Sequence, residues 1–448
     1  MSIPFELKEV ANILLQNGFQ VFLVGGAVRD FCLHKKPLDF DIATNALPSK
    51  VIKLFKRVIP TGIEHGTVTI LYKGLSVECT TFRSDGKYTD SRHPDAVNFN
   101  VTIEEDLSRR DFTINAFAIS FEDGKLIDLF NGYDDLKNKL VRAVGNPIER
   151  FTEDPLRMLR AIRFAAKLHF TIEKNTLNAI KELAPSITVV SKERIREEFS
   201  KMLLSSEPLL GLNLLHETNI LQYIIPELSN CAGVTQGEFH YLDVLQHSFL
   251  VCQNTPCNLE LRLAGLFHDV AKPLTRTIEH ETGSIHFYKH EIEGEKLAKT
   301  ILKQLTFPNV VVDNVCLLIR NHMFNYTSDW KDKTIRNFIA RVGIENLDAL
   351  IQLRLADIKA LKPEKQDISR ILEFKTRLDR ILQETNCFTL KELLINGNDL
   401  INLGFPSGKT IGLVLQELLQ TVLDDPSQNK RETLLRIAEN LKQKYVYS

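Results

Sequence analysis

Hydrophobic and polar positions follow two rhythms along the chain, and the change falls about a third of the way in. Residues 4–18 carry apolar Leu7, Val10, Ala11 and Leu14 at helical spacing and stop at Asn17-Gly18. Short apolar runs then predict strands at 20–24, around 39–43, at 66–72 and at 76–81, with helices starting at Ala27 and spanning 48–56. Residues 83–97 are polar and include Gly86 and Pro94, the composition of a long loop. The stretch from Gly124 to Gly132 reads as a strand and a turn, after which the β signal stops. From about Asn146 onward nearly every segment repeats with a helical period and is punctuated by Pro or Gly.

This segregation predicts an α+β chain: a small N-terminal α/β head of roughly 140 residues followed by a long, elongated all-helical part. Breaks at Ile224-Ile225-Pro226 and at Lys362-Pro363 divide the helical part, giving expected domains 1–140, 141–225, 226–362 and 363–448. No internal repeat or low-complexity tract interrupts the pattern.

At 448 residues the chain exceeds one hydrophobic core. Its hydrophobic content of 44% and charged content of 25% are those of a soluble globular protein, and no apolar run is long enough to cross a bilayer. The first residues lack the layout of a signal peptide. Cys32, Cys79, Cys231, Cys252, Cys257, Cys316 and Cys387 form no Cys-x-x-Cys pair, which disfavours a zinc ribbon or a disulfide framework and fits a reducing cytoplasm. A net charge of −1 leaves any nucleic-acid binding to a local basic surface.

The densest chemistry begins at Gly25-Gly26, a turn between an apolar strand and a helix. Two residues without Cβ let the backbone approach a phosphate and offer its N–H groups. Asp39 and Asp41 follow at i and i+2, a spacing that puts both carboxylates on one face of a strand, where they can hold Mg²⁺. A phosphate cradle beside such a pair is the equipment of metal-assisted nucleotidyl transfer; a tight turn followed by solvated acids is the bland alternative. Arg109 and Arg110 can brace phosphate oxygens, and Asp111 and Asn115 can read sugar hydroxyls, although a salt-bridged helix N-terminus has the same composition.

Thr152 reads as the N-cap of a helix in which Asp154 and Arg157 share a face at i and i+3. An acceptor beside a planar donor can pair with cytosine or adenine, whereas uracil and guanine present a carbonyl where the acceptor stands. A plain capped helix with a Glu153–Arg157 link is the competing reading. Charged helix 191–201 has the composition of a solvated face. Further on, His247, His268-Asp269, His290, His322 and Asp357 lie between apolar helix faces, the vocabulary of a helical metal centre with a divalent transition metal. Two metals close together there would make a phosphohydrolase centre. The Gly-punctuated tail Gly397–Gly412 reads as a turn entering a helix whose exposed N–H groups can take an RNA phosphate.

Taken in order, these motifs resemble the class II tRNA nucleotidyltransferases, the CCA-adding enzymes of the DNA polymerase beta superfamily, in the bacterial form with a C-terminal HD domain. The resemblance covers head, neck, body and tail. It implies that Asp39 and Asp41 hold the catalytic metals and that Gly25, Gly26 and Arg29 belong to the same motif on the nucleotide side. It also implies that Arg109, Arg110, Asp111 and Asn115 recognise ribose and phosphate, that Asp154 and Arg157 are the template for CTP and ATP, and that Glu193–Glu198 steadies that template. Segment 83–97 corresponds to the loop that helps the switch from CTP to ATP. Arg160 and Arg163 stand beside the template and, with Arg142, Arg150 and Lys167, are expected to form a basic path for the tRNA acceptor stem.

The HD set implied is His247, His268, Asp269 and Asp357, with His290 and His322 as ligands of a second metal; in some relatives this domain is a phosphatase and phosphodiesterase. Bacterial poly(A) polymerases share the head motifs, but follow Arg-Arg-Asp with a Leu-Tyr-Tyr-like strand and end in a basic tail, where this chain has Ala116-Phe117-Ala118-Ile119 and no strong basic excess. An A-adding specialist, and an HD phosphohydrolase whose head merely binds nucleotide, stay open as alternatives. The expected partners are tRNA, CTP and ATP, with no membrane; the sequence leaves the oligomeric state open.

Overall fold

The computed structural model describes residues 3–86 and 97–446, so residues 87–96 of the expected loop lie outside the described residues. The chain forms two compact units, Met1–Asn230 with Gln304–Thr306, and Cys231–Lys303 with Phe307–Ser448. Among the described residues, no helix is long and apolar enough to cross a membrane.

The first unit opens with helix α1 (Phe5–Gln16), whose buried face is the Leu7, Val10, Ala11 and Leu14 stripe. Strand β1 (Val21–Val24) is buried at every position, as the centre of a sheet demands. Helix α2 (Gly26–Cys32) follows, then β2 (Phe40–Thr44), α3 (Pro48–Leu54), β3 (Val58–Gly62), β4 (Thr67–Tyr72) and β5 (Leu75–Thr81). A two-residue pair, Ser84–Asp85 with Val97–Asn98, closes the stem of the undescribed segment. Helix α4 (Ile103–Ser108), β6 (Phe117–Ser120), β7 (Leu126–Asp128) and α5 (Gly132–Lys137) complete the head.

The seven strands pair in the order β3-β4-β5-β2-β1-β6-β7, antiparallel except for parallel β2 and β5. The result is the mixed-sheet head and helical body that the hydrophobic pattern predicts. Strand β3 was not expected, because Pro60 interrupts its apolar pattern; it sits at the sheet edge, where a missing N–H is tolerated. The β signal does not stop at residue 132 either. Leu140–Val141 pairs with Thr171–Ile172, and Arg276–Ile278 pairs with Ile285–Phe287 in the second unit. Pairs of two and three residues are too short to impose a periodicity.

The neck follows as α6 (Pro147–Glu153), α7 (Leu156–Leu168), α8 (Lys174–Leu183) and α9 (Lys192–Leu203). Thr152 is not the N-cap expected of it: it lies inside α6 and donates its hydroxyl to Ile148 O at 2.8 Å. The break falls at Asp154-Pro155, because proline disfavours a helical residue before it, and Asp154 is extended at φ −146° and ψ 100°.

Close packing at the start of α5 ties the sheet to the neck. A side chain on Gly132 would strike the Thr113 carbonyl and the Phe117 ring. Thr113 in turn donates to Asp135, which also holds Arg142. Gly132→Ala is therefore expected to destabilise the first unit by about 1–3 kcal/mol through overpacking, read as a lower unfolding midpoint in denaturant with an unchanged slope.

Candidate active site

The head and neck enclose a cavity of about 470 Å³ lined by Gly25, Gly26, Asp41, Glu78, Asp111, Asn115, Asp154 and seven arginines: Arg29, Arg83, Arg109, Arg110, Arg157, Arg160 and Arg194. Its floor is the turn between β1 and α2. Gly25 has φ +67°, a conformation side chains resist, and a Cβ there would approach Arg110 Nη1 at 3.2 Å and Asp41 Oδ2 at 3.9 Å. The turn thus stands against both a cation and a carboxylate.

Strand register sets the acidic wall. Val24 pairs with Asp41 across β1 and β2, and Asp41 pairs with Glu78 across β2 and β5. Burial, then the Glu78 charge, push the Asp41 carboxyl up to about 6; Arg110 opposes the shift and Asp39 adds to it. Glu78 was not among the residues expected from sequence. Its only signal is the alternation of β5, where Val77, Cys79 and Thr81 are buried and Glu78 is turned the other way. Asp39 departs from expectation: the strand begins at Phe40, so Asp39 is in the bend before it, exposed, and not part of the cavity wall.

The basic wall is built from cations that each hold a carboxylate or amide. Buried Arg29 donates to Asp30 Oδ1 at 2.9 and 2.7 Å and to Asn115 Oδ1 at 2.8 Å. Arg109 and Arg110 leave the C-terminus of α4, not a helix N-terminus, and both hold Asp106. Asp111 Oδ2 accepts from Arg160 at 2.8 and 2.6 Å, while its Oδ1 accepts from the Phe112 backbone at 2.8 Å. Burial alone would raise the Asp111 carboxyl, but Arg160 and Arg157 outweigh it and keep it below the usual range.

Asp154 and Arg157 do open onto one cavity, each with a partner already. Asp154 Oδ1 caps α7 through Leu156 N at 3.1 Å, and Oδ2 meets Arg194 at 2.7 Å. Arg157 donates to Glu153 at 2.7 Å and to Arg109 O at 3.3 Å. Along the neck, most of the cations expected to form a basic path are paired within the unit. Arg142 pairs with Asp135, Arg150 with Glu153, Arg160 with Asp111 and Arg163 with Glu198, so four of those charges are neutralised inside the unit. Lys167 is exposed. Arg163 is placed behind the cavity, over the Phe164 ring at 4.1 Å.

The second unit gathers all six of its expected residues into one buried cluster. His247 Nε2 lies 3.1 Å from Asp357 Oδ1, and His290 Nε2 lies 3.3 Å from Asp269 Oδ1. His268, His290 and His322 each direct Nδ1 at the carbonyl three residues back, at 2.8, 2.7 and 2.7 Å. A carbonyl only accepts, so each Nδ1 carries a proton and each Nε2 is turned inward. Two of those Nε2 atoms, on His290 and His322, face each other at 3.4 Å. His268 Nε2 is buried, 3.0 Å from Asp269 Oδ2 but without hydrogen-bond geometry. His247, His268 and Asp357, and likewise His268, Asp269 and His322, present ligand atoms within 4.8 Å of one another. Burial and then the His268 charge push His322 down to about 3, so this ring remains a lone-pair donor at neutral pH.

The raised Asp41 carboxyl has a measurable consequence. The folded state binds this proton more tightly than the unfolded chain does, so ionisation costs folding stability from about pH 4 upward and fully above about pH 6. Two pKa units correspond to about 3 kcal/mol. Asp41→Asn is therefore expected to melt several degrees above the parent at pH 7.5 in a chelating buffer, with the gap closing by pH 4.5. Equal melting at both pH values would contradict the shift.

Residues 21–142 match the family profile of the poly A polymerase head domain, 169–231 that of an RNA- and SrmB-binding site of polymerase A, and 277–438 that of tRNA nucleotidyltransferase domain 2. The chain is 36% identical over 448 residues to a CCA-adding enzyme of Enterococcus faecalis, covering 99% of this chain and 98% of the relative. It is 33% identical over 449 residues to one of Ligilactobacillus salivarius, covering 99% of both. The Bacillus stearothermophilus CCA-adding enzyme, solved in complex with CTP, superposes with a TM-score of 0.77 at 28% identity, covering 99% of each chain. Likeness over the full length of both chains, with the polymerase-type head in register, leaves one assignment: the chain belongs to the class II CCA-adding enzymes.

Proposed function

We propose that this chain adds CMP, CMP and AMP to the 3′ end of tRNA, with CTP and ATP as donors and pyrophosphate as product, and that it does so in the cytoplasm. The observation that carries the site assignment is that the Gly25 turn, the Asp41–Glu78 wall and the Asp154–Arg157 pair open onto one cavity. We assign the head to 1–140, the template-bearing neck to 141–225, an HD-type body to 226–362 and an RNA-binding tail to 363–448. Domains of this family use divalent metals, and a carboxylate whose proton affinity is raised by burial and by neighbouring acids, as that of Asp41 is, suits Mg²⁺. Bound at Asp41, Glu78 and Asp39, Mg²⁺ would activate the primer hydroxyl and neutralise the departing pyrophosphate.

The protein's own part is positional. Arg109, Arg110 and Arg29 surround the triphosphate, with the N–H groups of the Gly25-Gly26 turn beneath it. Asn115 and Asp111 meet the ribose. Asp154 accepts from the exocyclic amine of cytosine or adenine through Oδ2, which has a second lone pair beyond the one that Arg194 uses, while Oδ1 is taken by Leu156 N and Arg194. Arg157 donates to the neighbouring ring nitrogen. Uracil and guanine would set a carbonyl against Asp154, leaving buried groups unpaired.

The buried cluster in the second unit supports a second centre of HD type. His247, His268, Asp269 and Asp357, with His290 and His322, are a mixed imidazole–carboxylate set suited to a divalent transition metal, which would activate a water for hydrolysis of phosphate esters. The inward-turned Nε2 atoms, gathered with two aspartates so that two triads of ligand atoms lie within 4.8 Å of one another, are the reason to expect the metal.

Two measurements test these readings. Three labelled tRNA transcripts, ending before CCA, after C and after CC, are offered CTP and ATP. Extension of all three to CCA is expected, with loss of all three in Asp39→Ala and Asp41→Ala; ATP addition to the CC transcript alone would make the chain an A-adding specialist, and long A tracts a poly(A) polymerase. For the second centre, the purified parent should carry a transition metal by elemental analysis and hydrolyse a chromogenic phosphodiester. His268→Ala should lose both while still completing CCA, and a metal-free, inactive parent would end that reading.

A further inference from the structure

Asp106 belongs to none of the motifs singled out in the sequence, and the structure places it at a junction. Helix α4 is fixed by a capping box: Thr102 N donates to Glu105 Oε2 at 2.9 Å while Thr102 Oγ1 accepts from Glu105 N. Ile103 and Leu107 pin the helix to a core cluster that also holds Val24 of β1, which ends at the Gly25 turn, and Ala43 of β2, which carries Asp41. Asp106 therefore has little freedom to move relative to the cavity floor. Its residue is 1% exposed and it does not line the cavity; it stands behind the wall.

Four donors converge on its carboxylate. Arg109 gives Oδ1 two bonds, at 3.1 and 2.7 Å, Arg110 gives Oδ2 one at 3.1 Å, and the Arg83 backbone N–H reaches Oδ1 at 3.3 Å. Arg109 Nε also donates to Arg83 O at 3.1 Å, so the same node secures the point where β5 leads into the stem of the 87–96 segment. The two guanidinium groups are one and two residues past the end of the helix, and nothing in a bare chain would keep two adjacent like charges pointed one way. Asp106 sits three and four residues earlier, the spacing at which helix neighbours meet. On the far side Arg110 Nη1 overhangs Gly25, and its charge acts directly on Asp41.

We propose that Asp106 is a positioning residue for nucleotide addition: it holds Arg109 and Arg110 from behind, so that both guanidinium groups line the cavity in which the triphosphate is bound. This rests on the reading of the head cavity as the nucleotide site. Neutralising Asp106 leaves both guanidinium groups inside the head but removes the charge that aims them. The cost falls on nucleotide binding in common, not on the choice between cytosine and adenine, which Asp154 and Arg157 make.

The test is steady-state kinetics of the full chain, with CTP on tRNA ending before CCA and with ATP on tRNA ending in CC. Asp106→Asn should raise the KM of both nucleotides about tenfold, the effect of losing a charge-assisted hydrogen bond, while the KM for tRNA stays within about twofold. In an Arg109→Ala/Arg110→Ala background, adding Asp106→Asn should change the nucleotide KM by less than about twofold, because its partners are gone. Should Asp106→Asn melt below the assay temperature, Asp106→Glu, which keeps the charge but displaces it by a methylene, is put through the same comparison. Unchanged nucleotide KM, a matching rise for tRNA, or full additivity with the arginine variants would each overturn the proposal. If the arginine double variant itself keeps the parental nucleotide KM, the failure lies with the reading of the cavity.

Discussion

Two carboxylates stand beside each other across the parallel strands β2 and β5, and the head is arranged around that repulsion. Asp41 and Glu78 are paired by register, so neither can turn away without breaking the sheet. Partial burial denies Asp41 the dielectric of bulk water, and with the Glu78 charge beside it its proton affinity rises to about 6. A divalent cation removes the conflict in one step. The head is thus less stable without its ligand than its packing would allow, the usual signature of a site in which local stability is given up for binding.

The arginines answer the same constraint from the opposite wall. Seven guanidinium groups around one cavity would repel each other severely were their charge not countered, and the counter-charges include Asp30, Asp106, Asp111, Asp154, Glu153 and Glu198. Asp106 with Arg110 and Glu153 with Arg157 are local pairs, while others join head to neck: Arg160 of α7 to Asp111, Arg157 of α7 to the Arg109 carbonyl. Breaking such a buried pair strands a charge at a cost of several kcal/mol, so the arginines are fixed in direction as well as in place.

Much of this was legible in the residues, and the parts that were not share a cause. The Gly25-Gly26 turn, Asp41 and the buried His-Asp cluster announce themselves because each violates a local rule: paired glycines inside apolar sequence, an acid in a core strand, imidazoles between apolar helix faces. Glu78 violates nothing, since an acid on the outward face of an alternating strand is ordinary; only the register with β2 brings it to Asp41. Asp106 likewise passes for one more acid in the first turns of a capped helix. The Thr152 cap failed because Thr, Glu and Asp before Pro155 fit a helix start equally well at Asp154, and the steric demand of the proline decides between them. Where function rests on pairing between distant segments, single-sequence reasoning has no term for it.

The two clusters of candidate ligands differ in kind, and the difference bears on how one chain would support two metals. The wall of the head cavity offers carboxylate oxygens and no imidazole. The cluster in the second unit offers four imidazoles whose tautomers are set by backbone carbonyls or by an aspartate, beside two carboxylates held well below their usual range by those imidazoles despite their burial. Imidazole favours first-row transition metals over Mg²⁺ by its softness, while a small set of carboxylates tolerates the hydrated, octahedral Mg²⁺ that phosphate chemistry requires. Selection therefore lies in the donor atoms themselves, before any geometry is imposed. On the proposed reading each centre can be loaded in the presence of the other's metal, which is what a nucleotidyltransferase head on the same chain as a hydrolytic body would need.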